Sequence, residues 1–168
     1  MKNKAGAAEK SSCARLFWIG ENMDSIDVKI ISLLQKNARM SLKEIAPEVG
    51  LSSPAVASRI EKLERQGVIL GYTASVDKQK LGYNITAFVS LEITASQKPQ
   101  FYPFIEKFPN VLECCCVTGS YSMLIKVAFP TTQELDGFIG QLQHFGKTST
   151  QIVFSTPVPH RELRIDPE

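Results

Sequence analysis

Between Ser41 and Gly67 the chain is punctuated for two short helices separated by a tight turn, an arrangement few folds accept. Ser41-Leu42-Lys43-Glu44 reads as a capping box in which Ser41 and Glu44 satisfy each other's orphan backbone donors. Leu42, Ile45, Ala46 and Val49 then form a buried stripe. Gly50 ends that helix, because a left-handed residue there costs a glycine little. Pro54 suits a first helical position with Ser53 as N-cap. Val56, Ile60 and Leu63 follow at helical spacing, and Gly67 closes the second helix. Pro47 stands against the pattern. It deletes a backbone hydrogen bond and crowds residue 43, so the first helix is expected to bend or end early.

Upstream, Asp24 can cap a helix in which Ile26, Ile30, Leu33 and Leu34 share a face, with Asp27, Lys29 and Gln35 expected in water. Three helices with a glycine-containing turn are what the major groove of DNA accepts. The second helix of the pair would hold the domain with its apolar stripe and offer Ala55, Ser58, Arg59 and Lys62 on the other side. Small residues at Ser52, Ser53 and Ala55 let the helix N-terminus approach closely, and its N–H groups attract phosphate. Arg59 could read guanine bidentately or pair with phosphate, and Lys62 suits a phosphate. With Ser41 and Pro54 these six are the candidate DNA contacts. The competing reading is a plain three-helix unit with a solvated polar face. Val68-Ile69-Leu70-Gly71-Tyr72-Thr73 then reads as a strand, the wing of a winged helix.

Residues 74–83 read as a hinge. Beyond it, Ile85, Ala87, Val89, Leu91 and Ile93 alternate with polar residues as a half-buried strand. A helix is expected over Gln100–Phe108, starting near Pro103, followed by strands over Val111–Thr118 and Tyr121–Phe129. Thr132–Phe145 reads as a helix and Thr148–Val158 as a last strand. The order β-α-β-β-α-β is that of ferredoxin-like domains, so the fold class is α+β. The expected division is 23–73 for the winged helix-turn-helix, 84–160 for a ferredoxin-like dimerisation and effector domain, and 161–168 for a tail.

Charge supports this only locally. The formal net charge is +2. Residues 23–73 hold seven bases against six acids, and residues 74–168 hold eight against nine. A DNA footprint must therefore be a patch rather than a global field. No apolar run approaches the roughly 20 residues that span a bilayer, which points to a cytoplasmic protein without a membrane partner. Cys13 and the run Cys114-Cys115-Cys116 lack metal-ligand spacing, so neither metal nor cofactor is expected. On a strand Cys114 and Cys116 share one face, and buried thiols are favoured over a redox switch. Residues 1–22 lack periodicity and read as a disordered or non-native extension. Gly20-Glu21-Asn22 can be encoded by a purine-rich stretch like a ribosome-binding site, which would make Met23 the start.

These residues resemble a known family. Asp24-Ser25-Ile26-Asp27, Leu33-Leu34-Gln35, Asn37-Ala38-Arg39, Val49-Gly50-Leu51-Ser52, Arg59-Ile60, Gly67-Val68-Ile69 and Gly71-Tyr72 are similar to the leucine-responsive and asparagine-synthetase regulators, Lrp/AsnC. Leu81-Gly82-Tyr83, Val111-Leu112-Glu113-Cys114 and Val117-Thr118-Gly119-Ser120-Tyr121 continue the likeness, to about Val158. The resemblance implies a sequence-specific regulator that binds double-stranded DNA, forms homodimers or larger tetramers and octamers, and carries a small-molecule effector domain. Thr118, Gly119, Ser120, Tyr121 and Ser122 are the effector-site candidates it implies, and the hydroxyls of Thr148 and Thr150 either face the ligand too or, the favoured reading, decorate an edge strand. The family's loop reads Gly-Asp-Tyr-Asp where this chain has Gly119-Ser120-Tyr121-Ser122, so both carboxylates that suit an amino-acid ammonium are missing. An amino-acid effector is therefore not expected. Two alternatives remain: an architectural DNA-binding protein without effector, and a tetrapyrrole-processing enzyme of the same fold. No nucleophile, base or carboxylate pair stands at catalytic spacing near His144 or His160, which favours a non-enzyme.

Overall fold

The computed structural model describes residues 23–161. The questions about Cys13 and the first 22 residues lie outside them. The chain divides into two compact units, the first made of the chain up to Ala74 together with the last described residues, His160 and Arg161, and the second spanning Ser75–Pro159.

The first unit is three helices: α1 (Ser25–Lys36), α2 (Leu42–Val49) and α3 (Ser53–Arg65). Asp24 caps α1 within a capping box, accepting from the Asp27 N–H at 2.8 Å while Asp27 accepts from the Asp24 N–H at 3.4 Å. Ser41 and Glu44 form the expected box on α2, and Gly50 closes that helix at φ 69°. Ile30, Ile45, Ala46 and Val56 pack together with Leu33, Leu34, Met40, Val49 and Ile60 at the margin. Leu42 stays outside this cluster, 38% exposed at the start of its helix.

Three expectations change here. Pro47 neither ends nor shortens α2, which runs on to Val49. In so short a helix the cap at each end and the packing of Ile45 and Ala46 outweigh one lost hydrogen bond. The cap of α3 is Ser52 rather than Ser53, so Pro54 takes the second helical position, where its missing N–H is still one of the orphans. The wing strand over residues 68–73 is absent, because no strand pairs with them in a ladder. Instead, Val68 and Ile69 donate to the Leu63 carbonyl, and Leu70 and Tyr72 are exposed.

The second unit runs β1 (Ile85–Leu91), α4 (Lys98–Ile105), β2 (Val111–Cys116), β3 (Met123–Phe129), α5 (Thr132–Leu142) and β4 (Thr148–Ile152). The sheet order is β2-β3-β1-β4 with every pair antiparallel, the ferredoxin-like arrangement. Ala87, Val89 and Leu91 of β1 and Met123, Ile125 and Val127 of β3 line the core with Phe101, Ile105, Leu135, Phe138 and Leu142 from the helices. Phe104, Phe108, Phe138 and Phe145 link the two helices, edge to face at Phe104–Phe108 and Phe108–Phe138 and tilted at Phe104–Phe145, with centroids 4.9–5.0 Å apart from one ring to the next. The helix α4 starts earlier than the sequence suggests and holds Pro103 inside it, anchored by buried Phe101 and Ile105. Gly146 admits no side chain: a Cβ there would stand 1.9 Å from the Glu92 carbonyl oxygen. That close approach lets Lys147 accept from the Glu92 N–H and seats β4 beside β1.

Candidate nucleic-acid interface and effector loop

The outward stripe of α3 follows from its apolar one. Val56 and Leu63 are fully buried and Ile60 is half-buried, so Pro54, Ser58, Glu61 and Arg65, all exposed, form the opposite face. Ser52 is exposed, and its hydroxyl makes no cap hydrogen bond, which leaves it available outward. Ser53 and Ala55 are half-buried beside it. Ser41 is exposed but engaged, its hydroxyl accepting from the Glu44 N–H at 3.3 Å. A further candidate on this face, missed by sequence reasoning, is the exposed Arg65. Its signal was present, since it lies seven residues after Ser58 on the same helical face.

Arg59 sits on the flank between these faces. Its Nη1 donates to Asp24 Oδ2 and to Asp27 Oδ1, each at 2.7 Å, and Lys62 Nζ lies 3.7 Å from Asp27 Oδ2. Asp27, expected in water, is instead fully buried. Its carboxylate is tolerable there because two cations and the Asp24 N–H surround it. Hydrogen bonds from the Asp27 backbone and from Arg59 hold the Asp24 carboxyl below its ordinary value, while hydrogen bonds to the Asp27 and Asp24 carboxylates raise the Arg59 guanidinium. The cluster ties the start of α1 to the middle of α3, so it fixes the angle of the helix that carries the outward stripe. The partners are 32 and 35 residues from Arg59, too far apart for a local pattern to reveal them. Beyond α3, the Tyr72 hydroxyl donates to Glu64 at 2.8 Å; burial and that carboxylate push its pKa up to about 12.

All the effector candidates except Thr150 lie at one end of the sheet. The Ser122 N–H donates to the Leu91 carbonyl, and Thr148 pairs with Leu91 from the other side. Ser122 Oγ accepts from the Ile93 N–H at 3.0 Å and donates to the Ile93 carbonyl at 2.9 Å. That hydroxyl is thus spent on the backbone, pinning the start of β3 to the end of β1. Thr118, Gly119 and Ser120 are exposed in the loop and Tyr121 is half-buried. Thr148 hydroxyl lies 3.4 Å from Gln143 Nε2. Thr150 stands apart, in a groove of about 500 Å³ that it shares with Ile152 and α5 residues including Leu135 and Ile139.

The three adjacent thiols correct another expectation. Cys114 and Cys116 are exposed and Cys115 is half-buried, because β2 is an edge strand with no neighbour on its outer side. Among the described residues no group of three or more His, Cys, Asp and Glu could hold a metal ion, and no helix is long and apolar enough to cross a membrane.

Comparison with known proteins agrees with this geometry over both units. Residues 23–64 match the AsnC-type helix-turn-helix domain, and residues 86–163 match the Lrp/AsnC ligand-binding domain. An uncharacterised HTH-type transcriptional regulator of Bacillus subtilis, YezC, is 38% identical over 82% of this chain and 98% of its own length. The structure of B. subtilis LrpC superposes with a TM-score of 0.78 at 29% identity, covering 83% of this chain and 99% of LrpC. A Neisseria meningitidis regulator, NMB0573, solved in complex with L-Met, gives a TM-score of 0.77 at 25% identity, covering 83% of this chain and 94% of that one. This chain belongs to the Lrp/AsnC family and is a DNA-binding transcriptional regulator of that type.

Proposed function

We propose that the protein works as a homodimer whose two α3 helices enter successive major grooves, with Ser52, Pro54, Ala55 and Ser58 nearest the duplex and Lys62 and Arg65 serving phosphates. The observation that carries this is the exposed stripe of α3, small at its N-terminal end and ending on the exposed cation Arg65, one turn beyond Glu61. Arg59 is then a positioning residue and not a base reader, because both aspartates claim its guanidinium. The dimer contact we assign to the sheet face without helices. There Phe88 and Leu124 are half-buried among Ser90, Glu113 and Lys126, with Lys126 Nζ 5.8 Å from the Phe88 ring. A second copy of that face supplies matching apolar centres and paired opposite charges.

For the effector, the loop over residues 118–122 carries no carboxylate, and the Ser122 hydroxyl is engaged. The site therefore suits a small polar molecule without an ammonium group better than the L-Met that NMB0573 holds. The protein acts by binding and catalyses no reaction.

Selection of duplexes from a random pool, with footprinting and sedimentation, tests the reading. Expected are two half-sites about 10 base pairs apart, or a multiple, bound by a dimer. Uniform coating of every duplex, with strong salt dependence alone, would favour an architectural role. A thermal-shift screen of amino acids beside hydroxy and keto acids tests the effector; stabilisation by amino acids alone would refute its assigned chemistry.

A further inference from the structure

The three thiols of β2 are chemically unequal. Pairing with β3 sets Cys114 opposite Ile125 and Cys116 opposite Met123, on the face that carries the helices, whereas Cys115 lies opposite Leu124 on the other face. The three therefore cannot converge on one ligand. Burial and the neighbouring sulfurs raise the Cys114 thiol, and a hydrogen bond to the Glu113 carboxylate raises that of Cys115. Cys116 instead meets a cation: Lys98 Nζ, from the first residue of α4, stands 3.3 Å from its Sγ. The contact with Cys116 also raises Lys98, so the ammonium is charged at neutral pH. Cys116 is thus an exposed thiol with an ammonium 3.3 Å away that can draw an anionic reagent to it.

We propose that Cys116 is a site of reversible thiol modification, with Lys98 as the cation that guides its reaction partner, a small disulfide bearing carboxylates. The Cys116 thiolate attacks one sulfur of that disulfide. A new S–S bond forms at Cys116, the old one breaks, and the departing half leaves as a thiolate that takes up the proton Cys116 had released. Cys116 is oxidised and the departing half is reduced, so no further oxidant enters. The carboxylates of the incoming molecule are drawn to Lys98.

Strand geometry argues that the product is a mixed disulfide. Same-face neighbours on a strand are about 6.6 Å apart, against the roughly 3.5–4.5 Å that a disulfide needs between its Cβ atoms. Cys114 therefore cannot close onto Cys116 without breaking the β2–β3 ladder.

The probe is oxidised glutathione added to the full chain at neutral pH, with peptide mass mapping of each cysteine over time. The adduct is expected first on Cys116 and absent from Cys116→Ser. Its rate should fall about tenfold in Lys98→Met and recover in Lys98→Arg, whose charge is kept. Both residues lie at the surface, and melting curves matching the parent confirm that the variants are folded. Equal labelling of the three thiols, a rate unaffected by Lys98→Met, or an internal Cys114–Cys116 disulfide would each overturn the proposal.

Discussion

The helical unit and the sheet unit are held together by different physics. In the first, few apolar residues are fully buried, and an ionic cluster on Asp27 sets one of the helix angles. In the second, a sheet and two helices share a core of thirteen buried apolar residues, and polar groups act at the rim. A small domain that must leave one helix face bare for DNA has less apolar surface to bury, so polar geometry takes a larger share of its specification.

The contrast can be broken by substitution. Asp27→Ala should cost the first unit about 2–4 kcal/mol, because it strips the buried one of Arg59's two carboxylate partners and leaves a gap. Urea unfolding followed by probes in each unit checks this; an equal loss in both units, or none, would undo the comparison. Gly146→Ala should cost the second unit about 2–3 kcal/mol through the clash with the Glu92 carbonyl and leave the first unit untouched. Ser122→Ala removes two hydrogen bonds to Ile93 and should cost about 1 kcal/mol, with hydrogen exchange rising at Ile93 and in the loop that follows β2.

Acid sharpens the same contrast with a smaller effect. The Asp24 carboxyl lies below its ordinary 3.8 in the folded chain, so its contribution is fully present above that value. It is lost as pH falls through the lower, folded value. Being half exposed, Asp24 supplies under about 1 kcal/mol. The first unit should lose stability before the second below that pH, an effect that Asp24→Asn removes.

Legibility followed the range of the interactions. The boxes at Asp24 and Ser41, the stop at Gly50 and the alternation of β1 are local, and the sequence shows them directly. The burial of Asp27 was invisible because its explanation is Arg59, far along the chain. The strand expected over residues 68–73 failed for a related reason: β propensity speaks of side chains, while a ladder needs a partner. In the effector loop the residue types were readable, but the commitment of the Ser122 hydroxyl to Ile93 depends on how β1 and β3 end together. The exposed thiols were missed because edge position follows from strand order, which alternation alone does not reveal.

The central claim is that Arg59 positions α3 while the outward stripe ending at Arg65 meets the DNA. It is tested most directly by the salt dependence of binding to the strongest selected duplex for Arg59→Ala and Arg65→Ala. Arg65→Ala should lower the salt slope by about 1, whereas Arg59→Ala should keep the slope and lower unfolding stability. A reduced slope, or relaxed preference at one base pair, in an Arg59→Ala protein of undiminished stability would contradict it.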